Sequence, residues 1–96
     1  MKIENISHKG LRRFFETGNP KGLVGETGRL QKMLAFVNAA EDLQELATPP
    51  NYGFHQLTGD RKGTWSMTVT KNWRLTFRVN TDGALTDMEL EDYHGS

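Results

Sequence analysis

Ninety-six residues bound a single domain, residues 1–96, with one modest core. Twelve basic and twelve acidic residues give a formal net charge of zero, which argues against a simple polyanion binder. The chain has no cysteine, which excludes a disulfide scaffold and points to a reducing, cytoplasmic setting. No run approaches the roughly 20 apolar residues of a membrane span, and MKIENISHKG lacks the apolar centre of a signal peptide, so no membrane association is expected.

In chain order, residues 1–6 predict a short edge strand around Ile3. Ser7 is the N-cap candidate for a first helix. Leu11, Phe14 and Phe15 follow at helical spacing, and Gly18-Asn19-Pro20 ends the helix. His8 is expected to be exposed at its start, with Lys9, Arg12 and Arg13 on its solvated side. A loop covers residues 22–28, and a second helix is expected from about Glu26 through residue 40. Its stripe of Leu30, Leu34 and Val37, with Met33 and Phe36 beside it, reads as core. Residues 41–46 either continue this helix or form a short third one, and Thr48-Pro49-Pro50 stops it.

Residues 52–57 read as a strand leading into the hairpin GTWSMTVTKNWRLTF, residues 63–77. Trp65, Met67 and Val69 alternate with hydroxyl residues. Trp73, Leu75, Phe77 and Val79 alternate with Arg74, Thr76 and Arg78. Opposed residues share a face, so Val69 should meet Trp73, Met67 meet Leu75, and Trp65 meet Phe77. Thr70-Lys71-Asn72 is then a three-residue loop, with Asn72 suited to a left-handed position. Asp82-Gly83 signals a two-residue turn. That turn pairs Phe77 with Met88 and Leu75 with Leu90 on the dry face. On the wet face it sets Arg78 against Asp87 and Arg74 against Glu91. The order of elements defines an α+β domain: a small antiparallel sheet with two or three N-terminal helices on its dry face.

Charge is unevenly spread. Residues 60–80 carry Arg61, Lys62, Lys71, Arg74 and Arg78 against Asp60 alone, whereas residues 82–96 carry Asp82, Asp87, Glu89, Glu91 and Asp92 with no Lys or Arg. The pattern fits either cross-strand ion pairing or a nucleic-acid surface beside carboxylates. His55, Asp92, Tyr93 and His94 are suitable parts for acid–base work on a phosphodiester, with nearby cations for charge building on the phosphoryl oxygens. A lone strand histidine is more often structural. The histidines and carboxylates lack metal-ligand spacing, so no metal and no cofactor are expected. There is no Gly-rich phosphate loop, nucleophile elbow or helix-turn-helix pattern.

FHQLTGDRKGTWSMTVTKNWRLTFR, residues 54–78, and the ending EDYH resemble the HigB-type toxins of bacterial toxin–antitoxin modules, within the RelE-like superfamily. HKGL at residues 8–11 and GRLQ at residues 28–31 extend the resemblance weakly upstream. It implies a metal-independent, ribosome-dependent endoribonuclease that cuts translated mRNA. The ribose 2′-hydroxyl would attack the adjacent phosphate, leaving a cyclic phosphate and a 5′-hydroxyl. It implies His55, Asp92, Tyr93, His94 and Arg74 as catalytic residues. His55 and His94 would share the proton transfers, Asp92 would orient a partner, Tyr93 would stack on a base or assist proton transfer, and Arg74 would stabilise the phosphorane. Lys71, Lys62, Arg61 and Arg78 would contact RNA. Thr70 and Thr58 stand where a member of the family has arginine and lysine, so either Lys71 or Lys62 would supply the missing cation or activity would be weaker or differently selective. The implied partners are a HigA-like antitoxin with helix-turn-helix DNA binding, the ribosome with its mRNA, and operator DNA only through the antitoxin. The alternative is a non-nuclease ParE-like toxin or binding module acting on a protein such as gyrase. On a straight last strand Tyr93 shares the wet face with Arg74, so the tail has to bend for His94 to join it.

Overall fold

The computed structural model describes residues 1–23 and 27–92. Tyr93, His94 and the expected helix start at Glu26 lie outside the described residues. Helix α1 (Lys9–Thr17) is capped by His8 rather than Ser7. The imidazole Nδ1 of His8 accepts the Leu11 N–H at 3.0 Å, the role usually taken by a serine or aspartate oxygen, and the ring is half-buried. Gly18 ends the helix at φ 78°, and its N–H donates to the Phe14 carbonyl. Gly10 admits a close crossing: a Cβ there would lie 3.1 Å from the Gly22 carbonyl oxygen. Helix α2 (Thr27–Ala39) buries Leu30, Met33, Leu34 and Val37. The N-terminal ammonium donates to carbonyls of Val37, Asn38 and Ala40, at the end of α2 where the helix dipole favours positive charge. Asp42 caps a separate short helix, α3 (Leu43–Ala47), by accepting the Glu45 N–H at 3.0 Å, and Leu46 is its buried residue.

Strands β1 (His55–Gln56), β2 (Thr64–Thr68), β3 (Trp73–Val79) and β4 (Leu85–Asp92) form an antiparallel sheet in chain order. The N-terminal segment adds to the β4 edge only through parallel bridges, Ile3 to Leu85 and Ile6 to Met88. The first strand is shorter than residues 52–57. Pro50–Tyr52 forms a 3-10 helix after Pro49, and Gly53 leaves it in the left-handed region. His55 and Gln56 then pair with β2, and the Leu57 N–H donates to the Thr64 carbonyl at 2.8 Å.

The central hairpin has the register that alternation requires, with Trp65 opposite Phe77 and Met67 opposite Leu75. The Val69 N–H donates to the Trp73 carbonyl at 3.0 Å. Asn72 is not left-handed: the Asn72 N–H donates to Thr70 Oγ1, and the Thr70 carbonyl accepts from Trp73, which closes the loop without positive φ. Among the described residues Asp87, at φ 53°, is the non-glycine with positive φ.

That residue explains a second departure. The last turn is not the two-residue Asp82-Gly83 form. Asn80 and Ala84 close a three-residue loop, Thr81-Asp82-Gly83, with Asn80 N–H donating to the Ala84 carbonyl at 2.9 Å. The added residue sets Val79 against Leu85 and Arg78 against Thr86. A bulge at Asp87 then restores the expected register, with Leu75 opposite Leu90 and Arg74 opposite Glu91. The Arg78–Asp87 pair is therefore not formed. The irregularity turns both Leu85 and Met88 inward, although they lie three positions apart and strict alternation would send them to opposite faces.

One hydrophobic cluster joins Leu75, Phe77, Met67, Leu85 and Met88 of the sheet to residues of all three helices. Leu34 is inside it, while Phe15 and Trp65 pack against it partly buried. No described helix is long and apolar enough to cross a membrane.

Candidate active site

The other face of the sheet is polar but not simply wet. Cross-strand pairing places His55, Ser66, Thr76 and Glu89 in one row, and Thr68, Arg74 and Glu91 in the next. Ser66 and Thr76 are buried, and Arg74 is only 8% exposed. Rows on one face are about 7 Å apart and neighbouring strands about 4.8 Å apart. The long Arg74 side chain and the His55 ring thus rise from the same face, two strands and one row apart.

His55 itself is exposed at the sheet edge. Its Nδ1 lies 2.8 Å from the Gly53 carbonyl oxygen. A carbonyl can only accept, so Nδ1 carries the proton and Nε2 is the lone-pair nitrogen. The left-handed turn at Gly53 therefore sets the tautomer of a ring that can accept a proton from a hydroxyl.

Glu91 is the hub of the face, and its extent was not legible in the sequence. Arg61, from a 3-10 helix at Gly59–Arg61, reaches across the sheet and donates from both terminal nitrogens to the two Glu91 oxygens, at 2.6 and 2.5 Å. Arg74 Nη2 donates to the same carboxylate at 3.3 Å, and the Thr76 hydroxyl also donates to it, at 2.5 Å. The Arg61 bonds come first among the causes that pull the Glu91 carboxyl from 4.5 down to about 2, and the Thr76 and Arg74 bonds act the same way against desolvation. The same pairing raises Arg61.

This has a pH consequence. A carboxyl whose pKa is lower folded than unfolded stabilises the fold in full above the unfolded value, and loses that contribution as pH falls through the folded value. The stability difference between wild type and Glu91→Gln should therefore be greatest above pH 4.5 and shrink as pH falls toward about 2, as read by urea unfolding at a series of pH values. A difference that is constant across this range would mean that the Glu91 charge is not coupled to folding.

The remaining expected residues are more scattered. Arg78 lies one row beyond His55, where Nη1 donates to Thr64 Oγ1 at 3.3 Å. Its guanidinium also covers Gly63, where a Cβ would meet Nη2 at 3.0 Å, so Gly63 is the residue that admits it. Lys62 and Lys71 are exposed, the latter in the β2–β3 loop at the Arg74 end of the hairpin. Asp92 ends β4, exposed and opposite Trp73 rather than Arg74. The structure thus brings His55, Arg74, Arg61, Thr76 and Glu91 to one face and leaves Lys62, Lys71 and Arg78 around its margin.

The fold is that of the RelE-like toxins. The chain is similar to YafQ from E. coli strain BL21(DE3) at a TM-score of 0.64 and 17% identity, covering 99% of this chain and 97% of that one. A YoeB/ParE toxin from Agrobacterium tumefaciens aligns at a TM-score of 0.51 and 16% identity, over 95% of this chain and 99% of that one. Sequence relatives are more specific. Endoribonuclease HigB of Proteus vulgaris is 38% identical over 94 residues, spanning 96% of this chain and 99% of the relative. Toxin HigB-1 of Vibrio cholerae serotype O1 is 30% identical over 87 residues, spanning 88% and 90%. The family model for the RelE-like toxin of the type II toxin–antitoxin system HigB matches residues 4–94, and the chain belongs to that family.

Proposed function

We propose that the chain is an endoribonuclease that cuts mRNA on the translating ribosome and so inhibits translation. The observation that carries this reading is the polar sheet face, which carries His55 with its Nε2 open to solvent, the Arg74 and Arg61 guanidinium groups that meet on Glu91, and a strip of hydroxyls between them. The nearly full-length likeness to an endoribonuclease supports it. A ribose 2′-hydroxyl is a nucleophile already present in the substrate. It needs a base, an acid for the leaving 5′-oxygen, and donors for charge on the phosphoryl oxygens. His55 Nε2 serves one proton transfer and His94 the other. Arg74 stabilises the phosphorane, Asp92 orients a partner, and Tyr93 stacks on a base or assists proton transfer. Lys62, Lys71 and Arg78 hold flanking phosphates from the margin of the face.

Membership of a type II system implies an antitoxin partner. We assign it as a HigA-like protein with a helix-turn-helix, through which alone the pair meets operator DNA, and place the action in the cytoplasm. The test is brief expression without antitoxin, followed by primer extension on cellular mRNA, with purified protein on ribosome-bound and naked transcripts in parallel. Cuts confined to translated regions, and at least tenfold faster on ribosomes, are the expected result. Equal cutting of naked RNA would remove the ribosome from the mechanism. Growth arrest with intact mRNA and inhibited DNA supercoiling would favour a gyrase-directed toxin instead.

A further inference from the structure

The face that carries His55 also carries an anion of the chain's own. The two Glu91 oxygens receive four donors: Arg61 Nη1 at 2.6 Å, Arg61 Nη2 at 2.5 Å, Arg74 Nη2 at 3.3 Å and Thr76 Oγ1 at 2.5 Å. Planar guanidinium groups and a hydroxyl converging on a pair of oxygens are the arrangement by which proteins hold a phosphoryl group. Here a carboxylate occupies that seat. Two arginines and one glutamate leave a single net positive charge, and Glu89 also acts on Arg61 through its field. The face therefore has strong phosphate-binding donors but a weak attraction for a phosphate that is free in solution.

We propose that Glu91 is a specificity-determining residue whose carboxylate stands in for an RNA phosphate and is displaced when a backbone phosphate is delivered onto this face. The inference rests on the RNA-cleaving function proposed above. RNA free in solution has to disrupt the Glu91 contacts and also lose its own translational and conformational freedom. RNA already held in place has lost much of that freedom, so the same exchange costs it less. Glu91 thereby biases the chain against unattended RNA. Its two guanidinium partners come from separate elements, the Gly59–Arg61 turn and β3, so a single carboxylate engages donors from both.

The alternative is a purely structural clip that ties the Gly59–Arg61 turn to β4. Salt dependence separates the two, because phosphate binding releases counterions from RNA, whereas a clip affects only folding. The probe is a fluorescein-labelled single-stranded RNA with 2′-O-methyl riboses, which has no attacking hydroxyl. Binding is followed by anisotropy from about 50 to 200 mM salt. Glu91→Gln keeps the side-chain shape and an oxygen for Thr76 but removes the charge. It should bind about fivefold tighter near 0.1 M salt, with a log–log salt slope steeper by about 0.7, the value of one net cation on a single strand. Asp82→Asn makes the same charge change in the exposed β3–β4 turn and should leave the slope unaltered. In the wild type, saturation with the same RNA should shift the 13C carboxyl resonance of Glu91, a readout that does not depend on the variant folding. Equal slopes for wild type and Glu91→Gln, an equal steepening in Asp82→Asn, or an unmoved Glu91 resonance in RNA-saturated wild type would each overturn the inference. If wild type still cuts ribosome-bound mRNA in that case, the inference fails alone. If wild type neither binds the probe nor cuts mRNA, the proposed function fails with it.

Discussion

Arg74→Ala and Arg74→Lys should each slow single-turnover cleavage of ribosome-bound mRNA by about 10²–10³-fold, the usual cost of losing a donor to charge that develops in a transition state. Arg74 is 8% exposed and stands on the central strand β3, one row from His55 on the same face. Its guanidinium meets Glu91 at 3.3 Å, a loose contact compared with the short Arg61 pair. The pair is largely buried, so losing Arg74 also costs stability, and the loss of activity has to be read on variants shown to be folded. Lysine restores the charge and much of the stem but not the planar fork, so it separates bidentate phosphate recognition from charge alone. Circular dichroism and thermal unfolding establish that the variants are folded, and Asp82→Asn controls for surface charge. Two folded variants that cut at the wild-type rate would make Arg74 a structural residue, and the cation would have to come from Lys62 or Lys71.

The largest stability effect is expected at Phe77. The ring is fully buried, opposite Trp65 on the dry face, with its centroid 6.4 Å from that of Phe54. Phe54 stacks in turn on Trp65 at 4.8 Å, so one truncation opens a void beneath two other rings. Phe77→Ala should lower the unfolding free energy by about 3–5 kcal/mol in urea. A loss under about 1 kcal/mol would mean that the surrounding core collapses into the space left behind.

The dry face was legible because it is written locally. Met67, Leu75 and Phe77 alternate with polar residues, and a strand has no freedom to place alternate residues on one side. The helical stripe of Leu30, Leu34 and Val37 follows from 3.6-residue periodicity in the same way. What escaped depends on geometry between segments. The Asp-Gly dipeptide serves a two-residue or a three-residue loop, and only the position of Leu85 against Val79 decides between them. Asn72 and Asp87 are both tolerant of positive φ, and the bulge used the one that alternation had assigned to an ion pair. His8 was missed as a cap because imidazole is an unusual capping acceptor. In the site, strand parity puts Arg74 on the polar face and opposite Glu91, as observed, whereas the face of His55 follows from its pairing with Ser66, which alternation within its own short strand does not fix. The Arg61–Glu91 link spans thirty residues and depends on where the Gly59–Arg61 turn sits, which no periodicity encodes.

The bulge at Asp87 also divides the last hairpin into two stretches that can change length by different rules. Between the Asn80–Ala84 closure and Asp87 the ladder carries one surplus residue. A chain lacking Asp87 would still set Leu85 against Val79, Met88 against Phe77 and Glu91 against Arg74. Loss of one residue between Met88 and Glu91 has no such slack, because it exchanges the inward and outward positions of Leu90 and Glu91. Length changes on the turn side of this single spacer thus leave the residues of the polar face in register, whereas the same changes on the other side displace them.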